Sequence, residues 1–90
     1  MTWSKKRKAD LLDDLSILLG DLCVEWGFCN RLMPDDLIVT GKTLTADEFA
    51  RAVLVAEGMN PDYSEWFRPI RDKFIGRYGS SVSLESYSPN

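Results

Sequence analysis

The sequence predicts a small all-α fold, a single domain of three main helices, and three observations lead to this prediction. Apolar residues recur at intervals of three and four, which places their side chains on one face of a helix. Capping residues and glycines bound these segments. A chain of 90 residues holds one hydrophobic core. We therefore expect helices at about 10–29, 46–57 and 61–78 within a domain of residues 9–79, with a structured loop at 30–44.

Residues 1–8 are predicted to form a flexible basic arm. Lysines at the start of a helix oppose its dipole, so we expect the regular helix to begin between Ser4 and Asp10. The arm carries Trp3, Lys5, Lys6, Arg7 and Lys8. One interpretation is a solvated terminus that aids solubility. The other is a phosphate-binding handle in which Trp3 stacks on a base.

The first long helix is predicted from one apolar stripe. Its members are Leu11, Leu15, Leu18, Leu22, Trp26 and Cys29, spaced by 4, 3, 4, 4 and 3 residues. A second, weaker line consists of Ile17, Val24 and Phe28. These three residues either pack under the following loop or form an exposed strip that docks a protein partner. Gly27 marks either the end of the helix or a bend.

The loop at 30–44 is the least regular part of the chain. Pro34 suits the first turn of a short helix, whereas the apolar residues around Gly41 would also allow a small hairpin over 37–44. An isolated two-stranded ribbon is marginally stable. We therefore predict a packed loop with room for one helical turn. Its expected anchors in the core are Leu32, Leu37 and Leu44.

The central helix is the element around which the rest is predicted to fold. Thr45 and Glu48 have the spacing of a capping box, and Gly58 favours the left-handed conformation that ends many helices. The apolar positions between them are Ala46, Phe49, Ala50, Ala52, Val53, Leu54, Val55 and Ala56. Because a helix that is apolar on most sides must be covered on several, we expect this helix to be the most buried.

Bulky side chains define the last helix. They are Tyr63, Trp66, Phe67, Ile70, Phe74 and Tyr78, at helical spacing. Pro69 interrupts this pattern, because proline lacks an amide proton and clashes with the preceding turn. We predict a kink near Pro69, or a short helix followed by a longer one, and an end at Gly79. Residues 80–90 are Ser-rich and are predicted to form a flexible tail, although Val82, Leu84 and Tyr87 leave open a weak docking of this tail.

Four basic residues belong to the predicted last helix: Arg68, Arg71, Lys73 and Arg77. One interpretation is a recognition helix that enters a nucleic-acid groove. The other is a polar face whose stems cover the aromatic residues and whose charges pair with the acidic first helix.

The net charge of −3 conceals an asymmetry. The arm at 1–8 holds four basic residues and no acid, so residues 9–90 hold 7 basic and 14 acidic residues, a net −7. This acidity weighs against general affinity for nucleic acid. No apolar run approaches the ~20 residues of a membrane span, and aspartates interrupt the apolar stretch after the basic start, so we do not expect a signal peptide. Cytoplasmic residence follows as the default.

Cys23 and Cys29 are expected to be buried free thiols in a reducing compartment. On one continuous helix they would lie almost two turns apart, about 9 Å along the axis. That separation is too large for a disulfide.

The sequence offers little catalytic chemistry. It contains no histidine, which removes the commonest general base and the usual metal ligand. The segment from Gly41 is similar to half of a calcium-binding EF loop, but Ile38 stands where an oxygen ligand is required. The sequence Gly41-Lys42-Thr43 is similar to the end of a phosphate-binding loop. Such a loop has a glycine five residues earlier, where this chain has Asp36. We predict no cofactor and no metal. The one enzymatic alternative is a metal held by Asp35 or Asp36, which stabilisation by divalent cations would support.

We expect a non-enzymatic binding or regulatory module that acts through a protein partner, with Ile17, Val24 and Phe28 as its candidate contacts. The alternative is a nucleic-acid-associated regulator that uses the arm and the basic residues of the last helix. Salt discriminates them, because phosphate binding falls steeply with ionic strength. Loss of binding on Val24→Glu would favour the protein partner. Membrane association is not expected, and the sequence leaves the oligomeric state open.

Overall fold

The computed structural model describes residues 2–29, 32–38, 42–83 and 87, and only the backbone of residues 2–8. Its helices are α1 (Thr2–Trp26), α2 (Pro34–Leu37), α3 (Ala46–Ala56) and α4 (Phe67–Tyr78), and its strands are β1 (Leu44–Thr45) and β2 (Ser81–Val82). The prediction of a small helix-dominated domain is confirmed. The number of elements differs, because the described residues form four helices and a two-stranded sheet rather than three main helices.

Helix α1 is shifted towards the N-terminus relative to the predicted 10–29. Its backbone is helical from Thr2, where the sequence predicted an arm. Lysine, arginine and alanine are good helix formers, and an unfavourable charge in the first turn costs only about 0.3–1 kcal/mol. The helix ends at Trp26 because Gly27 adopts a φ of 77°. The Gly27 amide then donates to the carbonyl of Cys23 at 2.9 Å.

Helix α3 begins with the predicted capping box. The Glu48 amide donates to Thr45 Oγ1 at 3.1 Å, and the Thr45 amide donates to Glu48 Oε1 at 2.9 Å. Its fully buried residues are Phe49, Ala50, Val53 and Leu54. The face that carries Val55 is exposed. Helix α3 packs mainly on α4, with the rings of Phe49 and Phe74 5.2 Å apart.

Helix α4 begins at Phe67, so the predicted helix over 61–78 is too long at its start. Residues 61–66 form turns, and the Ile70 amide makes the first helical hydrogen bond to the carbonyl of Trp66 at 3.1 Å. Pro69 is the third residue of the helix. The amides of the first turn have no hydrogen-bond partner within a helix. A proline at this position therefore removes no helical hydrogen bond and requires no kink.

The two strands join distant parts of the chain. Leu44 pairs with Val82 and Thr45 with Ser81 in an antiparallel register. Leu44 therefore does not pair within a hairpin over 37–44. Helix α2 supplies the helical turn expected in the loop, and residues 39–41 lie outside the described residues.

The described residues of the predicted tail pack on the domain. Val82 and Ser83 are buried, and the Tyr87 hydroxyl donates to the carbonyl of Asp10 at 3.4 Å. The rest of the stretch 80–90, at 84–86 and 88–90, lies outside the described residues.

The core is one cluster of buried side chains to which α1, α3 and α4 all contribute. Helix α1 contributes Leu11, Leu15, Leu18 and Leu22 of the predicted stripe, and α4 contributes Ile70 and Phe74. The connections contribute Phe28 and Ile38, and the strands contribute Leu44 and Val82. None of the helices in the described ranges is long and apolar enough to cross a bilayer.

Candidate protein-binding surface

The chain turns back on itself directly after α1. Gly27 directs it away from the helix axis, and Cys29 returns to Cys23, with which it forms a disulfide at a Cα–Cα distance of 4.4 Å. The expectation of free thiols is wrong. It assumed one continuous helix through Cys29, whereas the helix has already ended three residues earlier. The glycine at position 27 was the signal in the sequence that pointed to this turn.

Phe28 lies inside this turn and is buried, with 6% of its surface exposed. Its ring makes edge contacts with Trp26 at 6.2 Å and Trp66 at 5.3 Å, and the two indoles lie 5.4 Å apart. This aromatic cluster fixes the turn after α1 to the start of α4. Phe28 therefore cannot belong to an exposed strip.

A groove of about 260 Å³ runs between α1 and the turn. Its lining consists of Ser16, Leu19, Gly20, Cys23, Phe28, Cys29, Leu32, Met33 and Pro34. We call this feature the disulfide groove. Its lining is mainly apolar, and the disulfide forms part of its wall. Gly20 leaves an opening in the α1 side, since a Cβ atom built there would meet nothing within 4 Å.

Exposed apolar side chains border the disulfide groove. Ile17, three residues before the lining residue Gly20, is 55% exposed. Val24, four residues after Gly20, is 85% exposed, so both side chains lie on the Gly20 side of α1. Met33, on the opposite wall, is 57% exposed. The structure thus separates the predicted strip into two exposed rim residues, Ile17 and Val24, and a buried wall residue, Phe28.

No family model matches this chain, and neither the curated proteins nor the solved structures yield a match.

The basic residues of α4 are mostly engaged by acidic ones. Arg77 donates to both carboxylate oxygens of Asp14 on α1, at 2.9 and 2.5 Å. Arg71 donates to Asp47 on α3 at 2.6 Å. Lys73 forms an ion pair with Glu25 and lies over the ring of Trp26, while Arg68 is exposed. The contacts of Arg77 and Lys73 match the interpretation of a polar face that pairs with the first helix, whereas Arg71 pairs with α3. The side chains of Trp3, Lys5, Lys6, Arg7 and Lys8 lie outside the described residues.

The Asp14–Arg77 pair perturbs the groups around it. Hydrogen bonds from Arg77 lower the pKa of the Asp14 carboxyl, although burial opposes this change. The same pairing raises the pKa of Arg77. Burial raises the pKa of the Tyr78 phenol, and Asp14 adds to the rise. The Asp14–Arg77 pair therefore links α1 to α4.

The described residues do not form a metal centre. No group of three or more His, Cys, Asp or Glu side chains within them is placed to hold an ion. Asp35 and Asp36 are exposed on α2, and the Asp36 carboxylate accepts a hydrogen bond from the Met33 amide at 3.1 Å. This bond is a helix-capping contact.

Proposed function

We propose that this chain is a small non-enzymatic binding module that acts through a protein partner docked in the disulfide groove. The observation that carries the proposal is the combination of an apolar concave surface with exposed apolar residues, Ile17, Val24 and Met33, at its rim. Exposed apolar side chains clustered around a groove are typical of surfaces that bind other proteins.

The size and lining of the groove favour a peptide side chain as its occupant. Its volume of about 260 Å³ is below the roughly 300–1,000 Å³ of most small-molecule sites. The lining supplies a serine hydroxyl, a disulfide and apolar carbon. Such groups suit the burial of an anchoring apolar side chain better than acid–base catalysis.

A selection from a random peptide library tests the proposal. The wild-type protein is the bait, and each recovered peptide is then measured against Val24→Glu and Ile17→Glu. The matched control is Val55→Glu, since Val55 is 63% exposed on α3. We expect binding to wild type and Val55→Glu, with loss in both rim variants because a charge there meets the apolar partner. Circular dichroism verifies that all variants are folded. Peptides that bind Val24→Glu and Ile17→Glu as tightly as wild type would overturn the proposal.

The nucleic-acid alternative has less support. It depends on the arm at 1–8 and on α4, where Arg71, Lys73 and Arg77 are already paired with acids. A short mixed-sequence duplex added at low salt tests it, because phosphate binding is strongest there. Binding of the duplex that disappears at high salt would favour this alternative.

The composition favours a cytoplasmic location, which we keep as part of the proposal. The Cys23–Cys29 disulfide is an observation against this location. Disulfides are rare in the cytosol, where thiols are kept reduced. Alkylation of the protein in intact cells, followed by mass measurement without reduction, decides between the two. Two alkylated cysteines would support the cytoplasm, and an intact disulfide would favour an oxidising compartment.

A further inference from the structure

The net negative charge of the domain belongs to α1, the turn and α2, the elements that form the disulfide groove. Residues 9–38, which contain α1 from Ala9, the turn and α2, hold seven acidic residues and one basic residue, a net −6. Residues 42–83, which contain α3, α4 and the sheet, hold six of each, a net zero. The net acidity of the domain therefore belongs to the elements that form the disulfide groove, although two of the seven acids, Asp14 and Glu25, pair with α4.

Three exposed aspartates stand beside the apolar rim. On α1, Asp13 lies three residues before the lining residue Ser16 and four residues before Ile17. Asp35 and Asp36 directly follow Pro34 in the opposite wall. The hydrogen bond from the Met33 amide holds the Asp36 carboxylate next to that rim residue. The groove is thus flanked by carboxylates on both walls.

These aspartates are not neutralised within the described part of the chain. The ion pairs there use Asp14, Glu25, Asp47 and Asp62 as acids. None of them uses Asp13, Asp35 or Asp36. These three carboxylates therefore have no cationic partner among the described side chains.

We infer that the segment bound by the disulfide groove is basic: one bulky apolar anchor flanked by lysine or arginine residues. This inference rests on the proposed function and names the chemistry of its partner. The anchor fills the groove, and the flanking cations reach the carboxylates of both walls. Charges of one sign around an apolar cleft raise the local concentration of ligands of the opposite sign. Charge pairs at the edge of an interface mainly determine partner choice and association rate.

The same charge distribution disfavours two other occupants. Nucleic acid would bring phosphates against the aspartates. A second copy bound symmetrically would place the same acidic surface on both sides of the interface, because a two-fold interface pairs a patch with itself. Like charges so placed repel each other.

Three synthetic peptides test the inference. All three keep the apolar anchor of the peptide that binds most tightly in the library selection. The first has Lys or Arg at every polar position, the second has Gln at those positions, and the third has Glu. We expect the Gln peptide to bind about tenfold more weakly at low salt and the Glu peptide not to bind. In about 1 M salt, where the Debye length is about 3 Å, the difference between the Lys and Gln peptides should fall to about twofold. Fluorescence anisotropy measures each affinity.

Variants of the protein locate the charge effect. Asp13→Asn combined with Asp35→Asn, one change beside each wall, should weaken the basic peptide by about three- to tenfold and leave the Gln peptide unchanged. Asp72→Asn, at an exposed carboxylate of α4, is the matched control and should change neither affinity.

Each contrary outcome has a separate meaning. A Gln peptide that binds as tightly as the Lys peptide, with binding still lost in Val24→Glu, overturns the inference and leaves the proposed function intact. Binding that does not depend on Val24 overturns both. Light scattering adds a third outcome: a dimer that persists in about 1 M salt and dissociates in Val24→Glu would identify a second copy as the occupant and overturn the inference.

Discussion

Gly27 is the residue at which α1 ends and the chain turns back. At its φ of 77° α1 ends, Phe28 packs against two indoles, and Cys29 returns to Cys23. The spacing of apolar residues could not reveal this, because Cys29 continues the stripe of α1 although it is no longer on the helix. Periodicity detects which residues would share one face of a continuous helix. It does not detect where the backbone changes direction.

We expect Gly27→Ala to lower the free energy of unfolding by about 1–2 kcal/mol, because alanine is disfavoured in the left-handed region. A Cβ at this position would meet no neighbour within 4 Å, so the cost is conformational. Gly20→Ala is the matched control. Gly20 lies within α1 with equal space around it, and alanine there should raise stability by up to about 1 kcal/mol. Urea denaturation of both variants measures the difference; equal effects would contradict the role given to Gly27.

Asp14 makes stability depend on acid. Since Arg77 lowers the pKa of Asp14 in the folded state, the pair contributes stability above the unfolded pKa of about 3.8, and the contribution is lost as pH falls through the lower folded value. We expect Asp14→Asn to be less stable than wild type at neutral pH and to approach it in strong acid. Denaturation at several pH values tests this, and Arg77→Met should remove the same acid-dependent part. A constant difference between Asp14→Asn and wild type would exclude the mechanism.

At the scale of elements, the first residue of a helix is harder to predict from the sequence than the face that the helix buries. The capping box at Thr45 and Glu48 placed the start of α3 correctly. For α4, Pro61 and the aromatic spacing suggested a start six residues too early, because Tyr63 and Trp66 fit the period while lying in turns. The pairing of β1 with β2 was not predicted at all. Two residues per strand carry no pattern that a sequence can show.

The disulfide should stabilise the turn after α1. For a loop of the six-residue separation between Cys23 and Cys29, the entropy of the unfolded chain accounts for about 2 kcal/mol. We expect reduction to lower the free energy of unfolding by about this amount while Phe28 and Pro34 keep the turn packed. Urea denaturation with and without a thiol reductant measures the loss. The double variant Cys23→Ala, Cys29→Ala is the control and should not respond to the reductant.

At the scale of the molecule, the burial of the centre of α3 was predictable because this helix is apolar on most sides. Its central residues are fully buried. The candidate binding surface was only partly predictable. Ile17 and Val24 were found from their spacing, but the groove beside them depends on the disulfide and on Met33 in the opposite wall, which come together only in three dimensions.

Val53→Asp should prevent folding of the whole domain, because Val53 is fully buried and an unpaired charge in a core costs several kcal/mol. Val55→Asp, two residues along the same helix and 63% exposed, is the matched control and should melt close to wild type. Thermal unfolding followed by circular dichroism separates them. A Val53→Asp variant that melted like wild type would contradict the central position of α3.

The short sheet also has a consequence for the order of folding. Because Leu44 pairs with Val82, the sheet closes a loop that contains all of α3 and α4. A ladder of two residue pairs is too small to overcome the entropy of that closure by itself. We therefore expect α3 and α4 to pack first and to bring the two strands together. The sheet then forms late in folding and is not part of the folding nucleus. Its amides should accordingly be the first to exchange with solvent as the domain begins to open.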